Sequence, residues 1–176
     1  RFIHPSAVIE PGAKVADDVV IGPFSYIGAE VILHSGVEIK SHVVVTGKTE
    51  IEQETVVYSF AVIGEIPQDL KFNGEKTVLK IGKRNQIREN VTINVGTSGG
   101  GGVTSVGNNC LFMTGSHVAH DAKIGDNVII ANCAAIAGHC VIEDDVIIGG
   151  LSGIHPVSYT HLRAHETRED VVLRDL

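Results

Sequence analysis

Residues 3–63 read IHPSAVIEPGAKVADDVVIGPFSYIGAEVILHSGVEIKSHVVVTGKTEIEQETVVYSFAVI, and one position in six decides what this segment is. An aliphatic side chain stands at Ile3, Ile9, Val15, Ile21, Ile27, Leu33, Ile39, Val45, Ile51, Val57 and Ile63, eleven in succession. Four residues after each of the first ten comes a small or β-branched residue: Ala7, Ala13, Val19, Ser25, Val31, Val37, Val43, Thr49, Thr55 and Ala61. The phase returns at Ile81, Ile87 and Ile93, slips by one residue across a Gly-rich run, and resumes from Val106 and Phe112 through Val118, Ile124, Ile130, Ile136, Ile142 and Ile148 to Ile154. A helix period of 3.6 matches none of this. A short fixed period marks a solenoid, in which one hexad forms one face and three hexads close a triangular coil of 18 residues. Each aliphatic row is then buried on the rows above and below, with strands about 4.8 Å apart, and stability accumulates by nearest-neighbour stacking.

The composition agrees with a core of small aliphatic side chains. Of 176 residues, 43% are hydrophobic but only 5% aromatic, and there is no Trp. One domain is expected, and disorder is excluded. A net charge of −7 with no Lys/Arg block leaves no footprint for nucleic acid or an anionic membrane. No apolar run reaches the roughly 18 residues of a bilayer span, and the opening RFIHPSAVIE is not a signal peptide, so no integral membrane segment is expected and the chain reads as cytoplasmic. Without an initiator Met it reads as starting downstream of the true N-terminus. Cys110, Cys133 and Cys140 lack CxxC spacing and are odd in number, so each is expected to be a small buried hydrophobe in a reduced compartment. Two stretches, 65–80 and 97–102 (TSGGGG), interrupt the hexads and read as loops leaving the prism, the second as a flexible bulge. Such loops are where repeat proteins commonly carry function.

The repeat also gathers histidines. Hexads starting at Val118, Ile136 and Ile154 stack on one face and contain His120, His139 and His155, while His117 ends the preceding hexad. Four imidazoles are thus expected along one edge of the prism. Two chemistries compete for them. Three neutral imidazoles could ligate zinc at about 2.0–2.1 Å, as trimeric γ-class carbonic anhydrases do on such a solenoid. Alternatively, one His acts as a base oriented by a carboxylate, and the dipeptide His120-Asp121 favours this, provided that a corner brings the two side chains together.

Hexapeptide repeats of this form resemble left-handed parallel β-helices. More specifically, the runs IGPFSYIG, SHVVVTG, IGEIPQDLKFNGE, IRENVTI, GGGVTSVGNN, HVAHDAKIGDN, IAGH and GGLSGIH, between Phe2 and His155, resemble the UDP-N-acetylglucosamine O-acyltransferases, the first enzymes of lipid A biosynthesis. The resemblance implies an all-β left-handed helix over 1–155, assembled as a homotrimer with active sites between subunits. It implies transfer of a 3-hydroxyacyl group from acyl carrier protein to the 3-hydroxyl of UDP-N-acetylglucosamine. The donor rides on the carrier's phosphopantetheine, so neither cofactor nor metal is implied. His120 matches the family's general base, Asp121 its support, and Gly138 the backbone donor to the thioester oxyanion. Gln68, Asp69 and Lys71 match sugar-contacting loop residues, and His117, His139 and His155 match substrate-positioning histidines.

The chain departs from the family at Val95, where Arg is usual, and after His155. There PVSYTHLRAHETREDVVLRDL replaces further hexads, and VSYTHLRAHET resembles adapter-derived tails of metagenomic reading frames. Residues 156–176 are therefore expected to be an irregular or short helical non-native tail, with no function for His161 or His165 and little activity for the chain as it stands. Three other readings stay open: another hexapeptide-repeat acyl- or acetyltransferase using coenzyme A, a γ-class zinc hydratase, and an inactive solenoid fragment.

Overall fold

The computed structural model describes residues 2–155 and the strand His161–Leu162. Its strands, most of them two residues long, form three parallel sheets of eight strands each, and every strand inside a sheet pairs with strands one coil before and after. The register follows the hexads: Ile3 pairs with Ile21 in the first sheet, Ile9 with Ile27 in the second, and Val15 with Leu33 in the third. Side chains of one row therefore lie over one another inside the prism. Ile21, Ile27, Ile39, Val45, Ile51, Ile63, Ile93 and Ile136 are all fully buried. The residue two before each joins them, as Val19, Val37 and Ala61 do, because β alternation points both inward.

Corners between sheets are turned by residues with positive φ, among them Phe24, His42, Phe60, Asp121, His139 and Leu151. An L-residue pays roughly 1–2 kcal/mol for this conformation, and here the ladders on both sides of each corner enforce it. Where the coil path changes after an insertion, Asn85 completes the backbone pairing from inside. Its Nδ2 donates to the Gly82 and Gly107 carbonyls, and its Oδ1 accepts from Cys110 N–H at 2.7 Å.

Both insertions leave the stacking intact. Ile63 still pairs with Ile93 and Ile81 with Val106. The first excursion is two hexads long and keeps the phase, whereas the second exceeds one hexad by a residue and produces the slip in the sequence. The first is also narrower than the expected 65–80. Strand Val62–Glu65 takes in Glu65, and Val78–Ile81 pairs in full with Lys48–Ile51 and Val103–Val106, so the excursion covers 66–77. These residues are held by the sheet because their outward neighbours on both sides are already strands. Val95, where the family pattern is broken, is buried in the core cluster.

The cysteine expectation needs one correction. Cys110 and Cys140 are buried, and burial raises each thiol pKa to about 11, but Cys133 occupies an outward corner and is exposed. At the C-terminal end, His161–Leu162 pairs with Val141–Ile142 and extends the third sheet. The rest of 156–176, including His165 and the expected short helix, lies outside the described residues, as does the side chain of His161. No helix among the described residues is long and apolar enough to cross a membrane.

Candidate active site

On the outer face of the second sheet His117 pairs with Ala135, and Ala135 with Gly153. The small residues that follow His117 along this row hollow the face. The resulting cleft, of about 400 Å³, is bounded by Gln68, Asn94, His117, His120, Gly138 and His155, with Ala119 and Ala137 on its wall. Gln68 reaches it from the first insertion; the other residues come from successive coils.

His120 and Asp121 stand where the chain turns from the second sheet to the third. In a strand their side chains would point apart, but Asp121 has φ 60° and the corner brings them together, with His120 Nδ1 2.8 Å from Asp121 Oδ2. Asp121 is 3% exposed, and a carboxylate so buried requires donors. Thr97 supplies two: its N–H reaches Oδ1 at 2.9 Å and its Oγ–H reaches Oδ2 at 2.6 Å. The Asp121 N–H donates to Thr104 Oγ at 2.8 Å. With Nδ1–H given to the carboxylate, His120 Nε2 is left as the lone-pair nitrogen, the arrangement a general base needs.

Gly138 lies one coil on from His120. A Cβ there would sit 2.7–3.1 Å from the imidazole ring, so only glycine leaves room for it. The N–H groups on either side are used, Ala137 to the Ile154 carbonyl and His139 to the His120 carbonyl, whereas Gly138 N–H has no acceptor among the described residues. His117 shares a 2.7 Å hydrogen bond with the Thr92 hydroxyl. Burial, only partly opposed by Thr92, lowers its pKa from the ordinary imidazole value, which keeps it neutral near pH 7.

The structure brings together His117, His120, Asp121, Gly138, His155 and Gln68, but not every expected residue. His139 is exposed and approaches His120 from outside the cleft, ring edge to ring face with centroids 5.1 Å apart. Of the expected edge of four imidazoles, three therefore line the cleft. Asp69 and Lys71 do not line it; the Asp69 carboxylate accepts from Lys71 N–H at 2.9 Å and shapes the loop tip. The group that could surround a cation here is His120, Asp121 and His139, not the three imidazoles of the zinc-hydratase reading, and both Asp121 oxygens already have donors.

Sequence reasoning missed Thr97, Thr104 and Asn94. Asn94 is buried at the root of the first excursion, where its Nδ2 donates to the Glu65 and Ile66 carbonyls. Nothing in the sequence marks Thr97, because it reaches Asp121 from an insertion that lies outside the hexad phase.

The bacterial transferase hexapeptide (six repeats) profile matches residues 12–47 and 103–138. The chain superposes on LpxA from Acinetobacter baumannii with TM-score 0.87 and 46% identity, covering 88% of this chain and 60% of that one. On LpxA from Bacteroides fragilis, a UDP-N-acetylglucosamine acyltransferase, the TM-score is 0.80 at 36% identity, with 94% of this chain and 70% of that chain covered. The chain belongs to the UDP-N-acetylglucosamine acyltransferase family. Its solenoid is accordingly a left-handed parallel β-helix of hexapeptide repeats. The acyl-[acyl-carrier-protein]--UDP-N-acetylglucosamine O-acyltransferase of Paracoccus denitrificans is 67% identical over 100 residues, 57% of this chain and 38% of that protein. The chain thus spans less than two thirds of the length of either the Paracoccus or the Acinetobacter protein.

Proposed function

We propose that this acyltransferase family member moves a 3-hydroxyacyl group from the phosphopantetheine thioester of acyl carrier protein to the 3-hydroxyl of UDP-N-acetylglucosamine, the first step of lipid A synthesis in the cytoplasm. The observation that carries the reading is His120, oriented by a buried carboxylate and packed directly against Gly138 on the wall of one cleft. A sugar hydroxyl is a weak nucleophile. His120 Nε2 takes its proton as the oxygen attacks the thioester carbonyl carbon, and the C=O electron pair moves onto oxygen. Gly138 N–H donates to that oxyanion. Collapse re-forms C=O and breaks C–S, and the imidazolium returns its proton to the thiolate. A thioester is already activated, so this route needs neither metal nor cofactor.

The neutral His117 and the cleft-lining Gln68 and His155 are substrate contacts in this reading, and His139 supports His120 from outside. Asp69 and Lys71 contact the nucleotide sugar from the loop tip. Asp69→Ala and Lys71→Ala are expected to raise KM for the nucleotide sugar several-fold with little change in Tm, since neither side chain is buried. A large Tm loss with unchanged KM would remove both from binding.

A homotrimer is part of the proposal. Phe24, Phe60 and Leu151 project from a single corner and are 63%, 56% and 72% exposed, with Tyr26 and Val8 on one flank and Phe2 and Ile147 on the other. Large apolar side chains exposed along one corner are ordinarily covered, here by further copies of the chain. Sedimentation should give a trimer; a monomer would dismiss it.

The deciding assay supplies 3-hydroxyacyl carrier protein with UDP-N-acetylglucosamine, in parallel with its 3-amino analogue, with acyl-coenzyme A, and with zinc and bicarbonate. Equimolar acyl-sugar and free carrier thiol are expected. Turnover only with coenzyme A, or only zinc-dependent hydration, would overturn the assignment.

A further inference from the structure

The Gly-rich insertion reads in sequence as a flexible bulge, yet its first residue is buried: Thr97 is 6% exposed. Its two donors are divided between the two oxygens of Asp121, N–H to Oδ1 at 2.9 Å and Oγ–H to Oδ2 at 2.6 Å. Oδ2 is also the atom that His120 Nδ1 meets. Rotation of the carboxylate would break all three bonds, so the plane of Asp121, and through it the imidazole, is fixed from the insertion.

Two glycines around Thr97, Gly96 and Gly100, leave no room for a side chain. A Cβ on Gly100 would fall 2.1 Å from Asp121 Cγ, and one on Gly96 2.8 Å from Oδ1, so the turn Ser98–Gly100 lies directly on the carboxylate and shuts it from water. Ser98 N–H and Oγ–H in turn donate to Glu75 at 3.2 and 3.1 Å, which ties this cap to the excursion that carries Gln68. The two insertions and the dyad form one hydrogen-bonded path.

We propose that Thr97 is a positioning residue that acts through Asp121, its hydroxyl holding the carboxylate in the one orientation that aims His120 Nε2 into the cleft. This rests on the reading of His120 as the base. Thr97 is not among the residues that the family resemblance implies, and the turn that follows it becomes a built cap with a specific purpose.

Thr97→Val keeps the backbone donor and the shape but removes Oγ–H. It is expected to lower kcat about ten- to a hundredfold, the scale of a misaimed catalytic group, with KM for the nucleotide sugar unchanged, and Thr97→Ser is expected to restore kcat. Gly100→Ala, which presses on the carboxylate from the same turn while leaving the Thr97 hydroxyl in the sequence, should lower kcat in the same way. In an Asp121→Ala background Thr97→Val should have no further effect, because the group it orients is gone. Full kcat for Thr97→Val in a folded protein, or an undiminished loss in the Asp121→Ala background, would overturn the proposal. Should Thr97→Val unfold, the Gly100→Ala result decides. Normal turnover by His120→Ala would instead defeat the underlying reading, an outcome distinct from a failure of Thr97.

Discussion

His120→Ala is expected to lower turnover about 10²- to 10⁴-fold, the range of positioned general-base catalysis, while Tm stays within a few degrees of the parent. The asymmetry follows from the site. His120 is a partly exposed corner residue whose polar contact is Asp121 and whose ring contact is the exposed His139. Removing it takes away no core packing. Asp121 keeps both Thr97 donors, so no buried charge is stranded. Asp121→Ala should cost less catalysis, because the carboxylate orients the imidazole and never receives the substrate proton. It should also cost stability, because Thr97 N–H and Oγ–H would lose their shared acceptor inside the structure. Steady-state release of carrier thiol, measured beside thermal unfolding, separates the two effects. Near-parental turnover by His120→Ala would remove it from the base role.

How far the sequence could be read depends on how each residue's position is determined. The aliphatic rows were legible because every coil repeats the same requirement, so Ile21, Ile39 and Val57 announce one another at a fixed spacing. His117 and His120 were legible for the same reason, since coil stacking gathers one edge of the prism whatever its chemistry, whereas Gly138 was reached only through the family resemblance. Thr97 was not. It meets Asp121 from an insertion, where spacing carries no phase, and only the shape of the turn reveals the contact. Cys133 was misread because it stands at a positive-φ corner that, unlike the one at Asp121, no insertion caps among the described residues. The strand residues Val78–Lys80 were hidden for a related reason. Their flanks are polar, but Lys48–Ile51 and Val103–Val106 offer ladders on both sides, and pairing overrides local composition. His139 lies at the coil position above Asp121, so the repeat placed it near the dyad but on the outward side of the corner.

Phe112→Ala should produce the largest stability loss of any single truncation, about 3–5 kcal/mol on the scale of buried Phe deletions. Phe112 is completely buried and is the largest of the fully buried side chains. It fills the row between Ile87 and Ile130 in the first sheet, where the other rungs are aliphatic. Two-residue strands locked on both sides by backbone hydrogen bonds cannot collapse into the space, so most of the cavity term persists. Phe112→Leu, which retains more of the volume, should cost under about 1.5 kcal/mol. Because each coil touches only the next, the loss should be felt locally as well as globally. Phe112 shares its coil with His117 and His120, so amide exchange at 117–120 should quicken far more than at 21–39, and the site should loosen before the N-terminal coils do. Chemical unfolding followed by circular dichroism, with exchange read by mass spectrometry, checks both parts. A loss below about 1 kcal/mol, or exchange that rises equally in all coils, would contradict a solenoid stabilised by nearest-neighbour packing.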